Sequence, residues 1–464
     1  MTSDISSSIL DLIGDTPMLK LSSFDTGLCE LYVKLELQNP GGSIKDRIAL
    51  SIIEDAERSG QLVPGGTIIE ATAGNTGIGL ALVGALKGYR VILVIPDKMS
   101  REKIFHLEGL GAEIVITRSD VPEGHPEYYQ DRARAIASDT KDSFLANQFS
   151  NPSNPAAHRT FTAPEIWRQM DRNVDAVVTG VGSGGTVTGL AQFLKEKNPK
   201  IQMVVADPDG SVVADAVTKG DYCYCGESWL VEGIGEDFIP DNFDLSLTDD
   251  AVVVSDKEAF HALDILLRKE GVLGGSSTGT LIAGAVKWCQ KQEVAKRVVT
   301  FVCDTGNKYL SKAYNKSWLQ DNDLSGKIFS GDLSDLINRR ADENEIIGVT
   351  SSDTLMTAYN RMRSADVSQI PIIDDGKLVG ILDEEDLLIT VSCDQSSFVV
   401  PVSKFMVTDL DILQKDATIG DVEELLKEGK VAIIFEGSTF LGFVTKVDLI
   451  NYFRRQALFN CDIE

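Results

Sequence analysis

The sequence predicts an α/β protein in which parallel sheets are covered by helices on both faces, followed by a smaller α/β unit built from a repeat. Three observations lead there. Short apolar runs of strand character alternate with helical patterns over the first 320 or so residues. Glycine-rich turns stand where several of those strands give way to helices. Beyond them, a block of about 60 residues occurs twice.

In chain order, strands are predicted at Thr67 to Glu70, Arg90 to Ile95, Glu113 to Thr117, Ala176 to Thr179, Gln202 to Ala206 and Val298 to Val302. Helices between them have readable ends: Ser43 stands ahead of Ile44 to Ser59, and Gly60 follows. The polar stretch from Gln320 to Gly326 breaks the pattern and reads as a linker. The chain is therefore divided into a unit at 1–322, a linker at 323–332 and a repeat unit at 333–464, with copies at about 333–392 and 399–458. In the first copy Ile370 to Asp374 and Leu378 to Leu387 are echoed by Ala432 to Glu436 and Leu441 to Leu449 in the second. Gly380 and Gly442 share one offset with Asp386 and Asp448, and each copy reads helix, strand, helix, strand, strand, helix.

Composition excludes several functions. At 43% hydrophobic and 25% charged residues the chain is too apolar for general disorder, and 464 residues allow about three domains. A net charge of -26 repels nucleic acid and anionic lipid, and no basic patch offsets it. Half of that charge lies between Gly331 and Glu464, where 25 acidic residues face 12 basic ones. Apolar runs such as Ile78 to Leu86 fall far short of the roughly 20 residues that span a bilayer. The start Met1-Thr2-Ser3-Asp4 lacks the positive region of a signal peptide, and seven scattered cysteines form no disulfide framework, so a cytoplasmic home is expected.

Four segments carry chemistry. Gly180-Val181-Gly182-Ser183-Gly184-Gly185-Thr186 follows a strand and opens a helix, so its amides and hydroxyls can surround a phosphate; a turn used only for packing is the plainer alternative. It lacks the Gly-Lys-Ser/Thr ending of a nucleotide loop. Pro40-Gly41-Gly42-Ser43-Ile44-Lys45 puts Lys45 in the first turn of a helix, where the dipole favours the neutral amine that attacks an aldehyde. A solvated surface lysine is the alternative there. Thr72-Ala73-Gly74-Asn75-Thr76-Gly77, again between strand and helix, offers amides and side chains to a carboxylate, or is a helix cap without a ligand. Gly274-Gly275-Ser276-Ser277-Thr278-Gly279 supplies a hydroxyl in a tight loop, or a plain cap. The remaining candidates read blandly. Cys223 and Cys225 lie in a surface loop, the four histidines (106, 125, 158 and 261) are too dispersed for a metal site and cap or pack, and Asp383 to Asp386 is a solvated helix start.

Together these four segments resemble the fold-type II pyridoxal-phosphate enzymes, in which two parallel-type sheets are flanked by helices, and within them the β-replacing cysteine synthases and cystathionine β-synthases. The stretches Asp207-Pro208-Asp209-Gly210-Ser211 and Val231 to Pro240 favour the latter. The resemblance implies Lys45 as the Schiff-base lysine and catalytic base, Asn75 at the 3′ oxygen of pyridoxal 5′-phosphate, Gly182, Ser183, Gly184, Gly185 and Thr186 around its phosphate, and Ser276 at its ring nitrogen. It implies Thr72, Asn75, Thr76, Gln148 and Gly233 as substrate contacts. The implied reaction joins serine to homocysteine, giving cystathionine and water, with hydrogen sulfide release from cysteine as a side activity. Two alternatives stand beside it: a cysteine synthase using O-acetylserine and sulfide, and an inactive adenosyl-ligand sensor. A homodimer or higher homo-oligomer is also implied.

The chain departs from that family at three places. Ala73 replaces a serine, Glu236 stands where animal members carry tyrosine, and no haem-binding segment precedes the catalytic pattern, so no haem is expected. The C-terminal repeat resembles paired CBS motifs, the Bateman module. In that module a Thr and an Asp three residues apart contact the ribose of an adenosyl ligand, S-adenosylmethionine or AMP. Thr445 and Asp448 match in the second copy, whereas the first has Asp383 in the threonine position, so at most one site per module is expected. A repeat serving only dimerisation is the alternative.

Overall fold

Aliphatic, β-branched segments buried on both faces form the centre of the first unit. The computed structural model describes residues 5–72, 74–97, 101–122, 124–223, 228–324, 332–337 and 346–461, without the side chains of 101–102 and 455–461. Ala73, Cys225 and residues 325–331 of the expected linker lie outside the described residues. The chain divides into two units, 1–315 and 316–464.

The first unit contains strands β1 (Met18–Lys20), β2 (Glu30–Leu35), β3 (Thr67–Ala71), β4 (Arg90–Pro96), β5 (Glu113–Thr117), β6 (Ser143–Leu145), β7 (Ala176–Thr179), β8 (Gln202–Pro208), β9 (Asp250–Val254) and β10 (Arg297–Val302). They form a six-stranded sheet in the order β1-β2-β10-β7-β8-β9 and a four-stranded sheet in the order β5-β4-β3-β6. All pairings are parallel except β1 with β2. The six predicted strands are present. The four others, β1, β2, β6 and β9, have physical reasons for being hidden: β1 and β6 span three residues each, and β2 and β9 carry charged residues.

Of the two charged residues of β2, Lys34 is fully buried. It belongs to a network in which Arg47 donates to both Glu36 oxygens (2.7 and 2.8 Å) and both Glu165 oxygens (2.8 and 2.7 Å), while Lys34 donates to Glu165 at 2.7 Å. Two cations and two anions, each hydrogen-bonded, satisfy the condition for burying charge. The network ties helix Lys45–Ser59 to β2 and to helix Ala163–Gln169. The apolar face of the first helix, Ile48, Ile52 and Ile53, packs in one core with Ile68, Ile78, Leu80 and Leu93. Helix Asn75–Lys87 approaches it so closely at Gly79 that a Cβ there would lie 2.9 Å from that of Ala49 and 3.0 Å from the Lys45 carbonyl. Burial thus fixes the start of the Lys45 helix from two sides.

The second unit holds β11 (Gln369–Asp374) antiparallel to β12 (Lys377–Asp383), and β13 (Ile412–Gln414) parallel to β14 (Ala432–Glu436), which is antiparallel to β15 (Thr439–Val444). Helices Leu355–Ala365 and Glu384–Cys393 accompany the first hairpin, Ile419–Lys427 and Lys446–Cys461 the second. The repeat extends to detail, because both hairpins shift register where Ile372 faces Gly380 and Ile434 faces Gly442. Two differences from the expected copies appear. The leading helices are short 3-10 turns, Leu333–Leu336 and Val402–Lys404, and the first strand of copy one is a single bridge from Val349 to Ile372. Asp353 accepts the Thr350 backbone N–H at 2.8 Å and turns the chain away after that bridge. The leading turns are also exchanged between the cores: Leu333 and Leu336 pack with Val422, Ile434 and Leu449, and Val402 packs with Leu355, Ile370 and Leu382.

Candidate active site

Lys45 is the first residue of its helix, and its backbone N–H is bonded to Ser43 Oγ at 3.2 Å, so Ser43 serves the helix start although the helix begins one residue later than predicted. The turn before it is held in two ways. Asp46 accepts the Gly41 N–H, and Ile44 N–H donates to the Cys303 carbonyl at 2.8 Å. Burial pushes the Lys45 amine below the ordinary lysine range, opposed by Cys303, Asp304 and Glu236 nearby. That favours the free amine required of a nucleophile or base.

Asn75 opens its helix beside this turn. Its Nδ2 donates to Asp304 Oδ2 at 2.7 Å and its Oδ1 accepts from Lys308 Nζ at 2.8 Å, which fixes the amide and leaves one Nδ2 proton for another acceptor. Lys308 also donates to the Gly41 carbonyl at 2.9 Å, and Tyr309 donates to Asp304 at 2.7 Å. Asp304 and Lys308 were missed from sequence. Their signal was the loop Asp304-Thr305-Gly306 directly after β10, a strand end in the same position as the other candidate loops.

The glycine-rich loop leaves β7 and enters helix Gly185–Lys197 through Gly184 in the left-handed region, with no side chain capping the first amides. Those N–H groups are free to receive an anion. Asn154 lies so close that a Cβ on Gly185 would fall 2.0 Å from its Oδ1, and one on Gly182 would fall 2.6 Å from the Gly233 carbonyl. Behind the loop, Asn154 Nδ2 donates to Ser183 Oγ at 2.8 Å, and His158 Nε2 lies 3.2 Å from Thr186 Oγ1. A packing role was expected for His158; it is buried and also bonded to the glycine-rich loop.

Thr76 donates to Gln148 Oε1 at 2.5 Å, and Asn154 Nδ2 donates to the Gln148 carbonyl at 2.8 Å, so the loop after β3 and the loop after β7 are joined through Gln148 and Asn154. Thr72 Oγ1 accepts the Gly74 N–H at 3.2 Å. Ser276, at the start of helix Ser276–Gln290, accepts the Glu232 N–H at 3.0 Å, and its own proton remains for an acceptor such as an unprotonated ring nitrogen. Glu232 in turn takes salt bridges from Lys103 and from Lys312 at 2.8 Å. Gly233 is exposed and in the left-handed region, and three residues on Glu236 is raised well above the ordinary carboxyl range by burial and then by Asp237, with Lys45 opposing.

These residues fit pyridoxal phosphate: free helix-start amides and two hydroxyls for a phosphate, a hydroxyl proton for a ring nitrogen, an amide proton for a ring oxygen and a buried amine for an aldehyde. In the second unit Thr445 donates to Asp448 Oδ2 through its N–H (2.7 Å) and its hydroxyl (2.6 Å), and Asp383 accepts the Asp386 N–H at 2.8 Å.

Comparison with known proteins agrees. Residues 9–304 match the pyridoxal-phosphate dependent enzyme family, and residues 334–392 and 402–455 each match the CBS domain. The chain is similar to the cystathionine beta-synthase of Oryctolagus cuniculus, 37% identical over 96% of this chain and 84% of that one. It is also 41% identical to an O-acetylserine dependent cystathionine beta-synthase of Bacillus subtilis, over 66% of this chain and 96% of the relative. The crystal structure of a hydrogen sulfide-producing enzyme from Fusobacterium nucleatum superimposes with a TM-score of 0.61 at 38% identity, covering 66% of this chain and all of that one. A catalytic unit of fold-type II joined to a tandem CBS module, similar over nearly its whole length to cystathionine beta-synthases, makes this chain a member of the pyridoxal-phosphate dependent enzymes that carry out β-replacement.

Proposed function

We propose that the enzyme condenses L-serine with L-homocysteine to give L-cystathionine and water. The observation that carries this reading is the placement of the buried Lys45 amine at a helix start, with the two anion loops joined through Gln148 and Asn154. Gly182 to Thr186 hold the cofactor phosphate, Asn75 the ring oxygen and Ser276 the ring nitrogen. When bound, the cofactor supplies an electron sink for negative charge at the substrate Cα, which lets a β-substituent leave and a thiol take its place. Thr72, Asn75, Thr76 and Gln148 bind and orient the substrate carboxylate. Lys45 Nζ, uncharged, removes the Cα proton and later returns it. Ser276, a neutral hydroxyl in place of a carboxylate, leaves the ring nitrogen unprotonated, which favours loss of the β-group over competing chemistry at Cα.

Glu236, within electrostatic reach of Lys45, stands in the place of a tyrosine of the animal enzymes, and the reading assigns it to thiol selection. The reading is tested by comparing acceptors. Homocysteine with serine is expected to give a higher kcat/KM than sulfide with O-acetylserine, and Glu236→Gln to change that ratio about tenfold. The reverse preference in the unmodified enzyme makes it a cysteine synthase.

The second unit is proposed to bind one adenosyl ligand at Thr445 and Asp448. Leu388, Ile389, Val447 and Ile450, each more than half exposed, support a homo-oligomer. The odd, scattered cysteines support a reducing, cytoplasmic location.

A further inference from the structure

The glycine-rich loop presents two hydroxyls, Ser183 and Thr186, and a hydroxyl can donate only one proton. A phosphate dianion takes donors alone, so each hydroxyl serves it only if its proton is not spent on another acceptor, which a donor seated at its lone pair secures. Two buried side chains on residues 153–162 stand behind the loop in that position. Asn154 is 1% exposed and His158 and Thr162 are fully buried.

The orientation of Asn154 is fixed by its second partner. The Gln148 carbonyl, which only accepts, lies 2.8 Å from Asn154 Nδ2 and also receives Asn242 Nδ2 at 2.8 Å. The amide nitrogen must therefore be the atom on that side, and it donates its remaining proton to Ser183 Oγ at 2.8 Å. Ser183 is left with its own proton to give.

His158 lies between two hydroxyls, with Nδ1 3.0 Å from Thr162 Oγ1 and Nε2 3.2 Å from Thr186 Oγ1. Burial, then Arg47 and Lys45, push it down to about 3, so the ring is neutral and one nitrogen carries a proton. If Nδ1 carried it, Thr186 would spend its own proton on Nε2. If Nε2 carries it, Thr162 donates to Nδ1, His158 donates to Thr186, and Thr186 donates to the anion. A π-helical turn at His158–Thr162 places both residues, and the segment lies so close to the loop helix that a Cβ at Gly189 would fall 2.2 Å from the Pro155 carbonyl.

We infer that Asn154 and His158 are positioning residues that aim the Ser183 and Thr186 hydroxyls at the cofactor phosphate, His158 through a directed chain from Thr162 to Thr186. The inference rests on pyridoxal phosphate as the cofactor, so the experiment measures the unmodified apoenzyme first, by titration with pyridoxal phosphate and with pyridoxal, which lacks the phosphate. No binding of the phosphate ester by the unmodified chain would defeat the cofactor assignment itself. Given that binding, His158→Phe should weaken pyridoxal phosphate about tenfold, leave pyridoxal within about twofold, and shift the phosphorus resonance of the bound cofactor. Thr162→Val, which keeps the shape and removes the hydroxyl that fixes the ring, should lower the same ratio about threefold. Equal losses for both ligands, or an unchanged ratio, overturn the inference; should His158→Phe fail to fold, Thr162→Val decides alone.

Discussion

The two units treat charge in opposite ways. In the catalytic unit Lys34, Glu36, Asp46, Arg47, Glu70, Lys103, Glu165, Asp207, Asp304 and Lys308 are all buried, whereas among the described residues of the repeat unit, far more acidic in sequence, only Asp448 is. Charge carries information where water does not surround it. A run such as Asp383 to Asp386 lies at a helix start in water and explains itself. A charge taken out of water needs a partner, a raised or lowered pKa, or a function. Most buried charges of the first unit have partners. Among the described residues Asp46, Glu70, Asp207 and Asp304 of that group each keep one oxygen without a hydrogen bond, and burial raises the first three to about 6, 8 and 6.

The largest effect is expected at Lys45, a buried amine with no ion pair among the described residues. Lys45→Ala should abolish the visible absorbance that the bound cofactor owes to its bond with the lysine, and should lower β-replacement on the order of a thousandfold or more. Circular dichroism should be unchanged, because neither the helix start nor the Arg47 network uses the ammonium. Turnover retained in the purified variant would remove Lys45 from the reaction.

A smaller effect is expected from Glu70, next to the carboxylate loop. Burial raises its folded-state pKa to about 8, despite backbone N–H bonds from Gln148 and Asn147 that lower it, against an ordinary value near 4.5 in the unfolded chain. Between those values the folded state holds a proton that the unfolded state has released, so stability falls as pH rises from about 4.5 to 8 and levels off above. The loss is on the order of 5 kcal/mol. Glu70→Gln keeps the shape without the titration, so urea unfolding midpoints of the variant should depend less on pH across that window. Parallel pH profiles for both proteins would mean that Glu70 does not titrate there.

The same contrast explains what was legible in the sequence. The glycine-rich loop, Lys45 and Ser276 could be placed at helix starts because glycines and hydroxyls stand there in contiguous stretches. The repeat could be read because its two hairpins share Gly380 and Gly442 at one register shift. Strand β2 was hidden because Lys34 interrupts its apolar pattern, and the partner that permits this, Glu165, is 131 residues away. The roles of Asn154 and His158 were hidden for the same reason, since each acts across a gap of 28 or 29 residues through a side-chain hydrogen bond that leaves no periodic trace. The exchange of leading turns between the two repeat cores is likewise a contact between copies that their internal likeness does not encode.

The smallest expected effect tests Asp448, the one buried charge among the described residues of the repeat unit. Asp448 and Asp386 occupy equivalent helix starts, yet they differ in their neighbours. Asp448 receives two donors from Thr445, the N–H at 2.7 Å and the hydroxyl at 2.6 Å. Asp386 has Asp383 at that position, and burial followed by this second carboxylate raises its pKa. Two facing acids repel the phosphates of ATP and AMP, whereas a lone carboxylate beside a hydroxyl suits the diol of a ribose. One ligand per module is therefore expected, with the positively charged S-adenosylmethionine tolerated better than ATP in so acidic a unit. Calorimetric titration of the unmodified protein should show a single site for S-adenosylmethionine, and Asp448→Ala should weaken it about tenfold, the cost of a lost charge-assisted hydrogen bond. Asp386→Ala should leave that binding unchanged. Heat from none of S-adenosylmethionine, AMP and ATP would reduce Asp448 to a helix cap, and equal losses in the two variants would place the ligand between the copies instead of at the second.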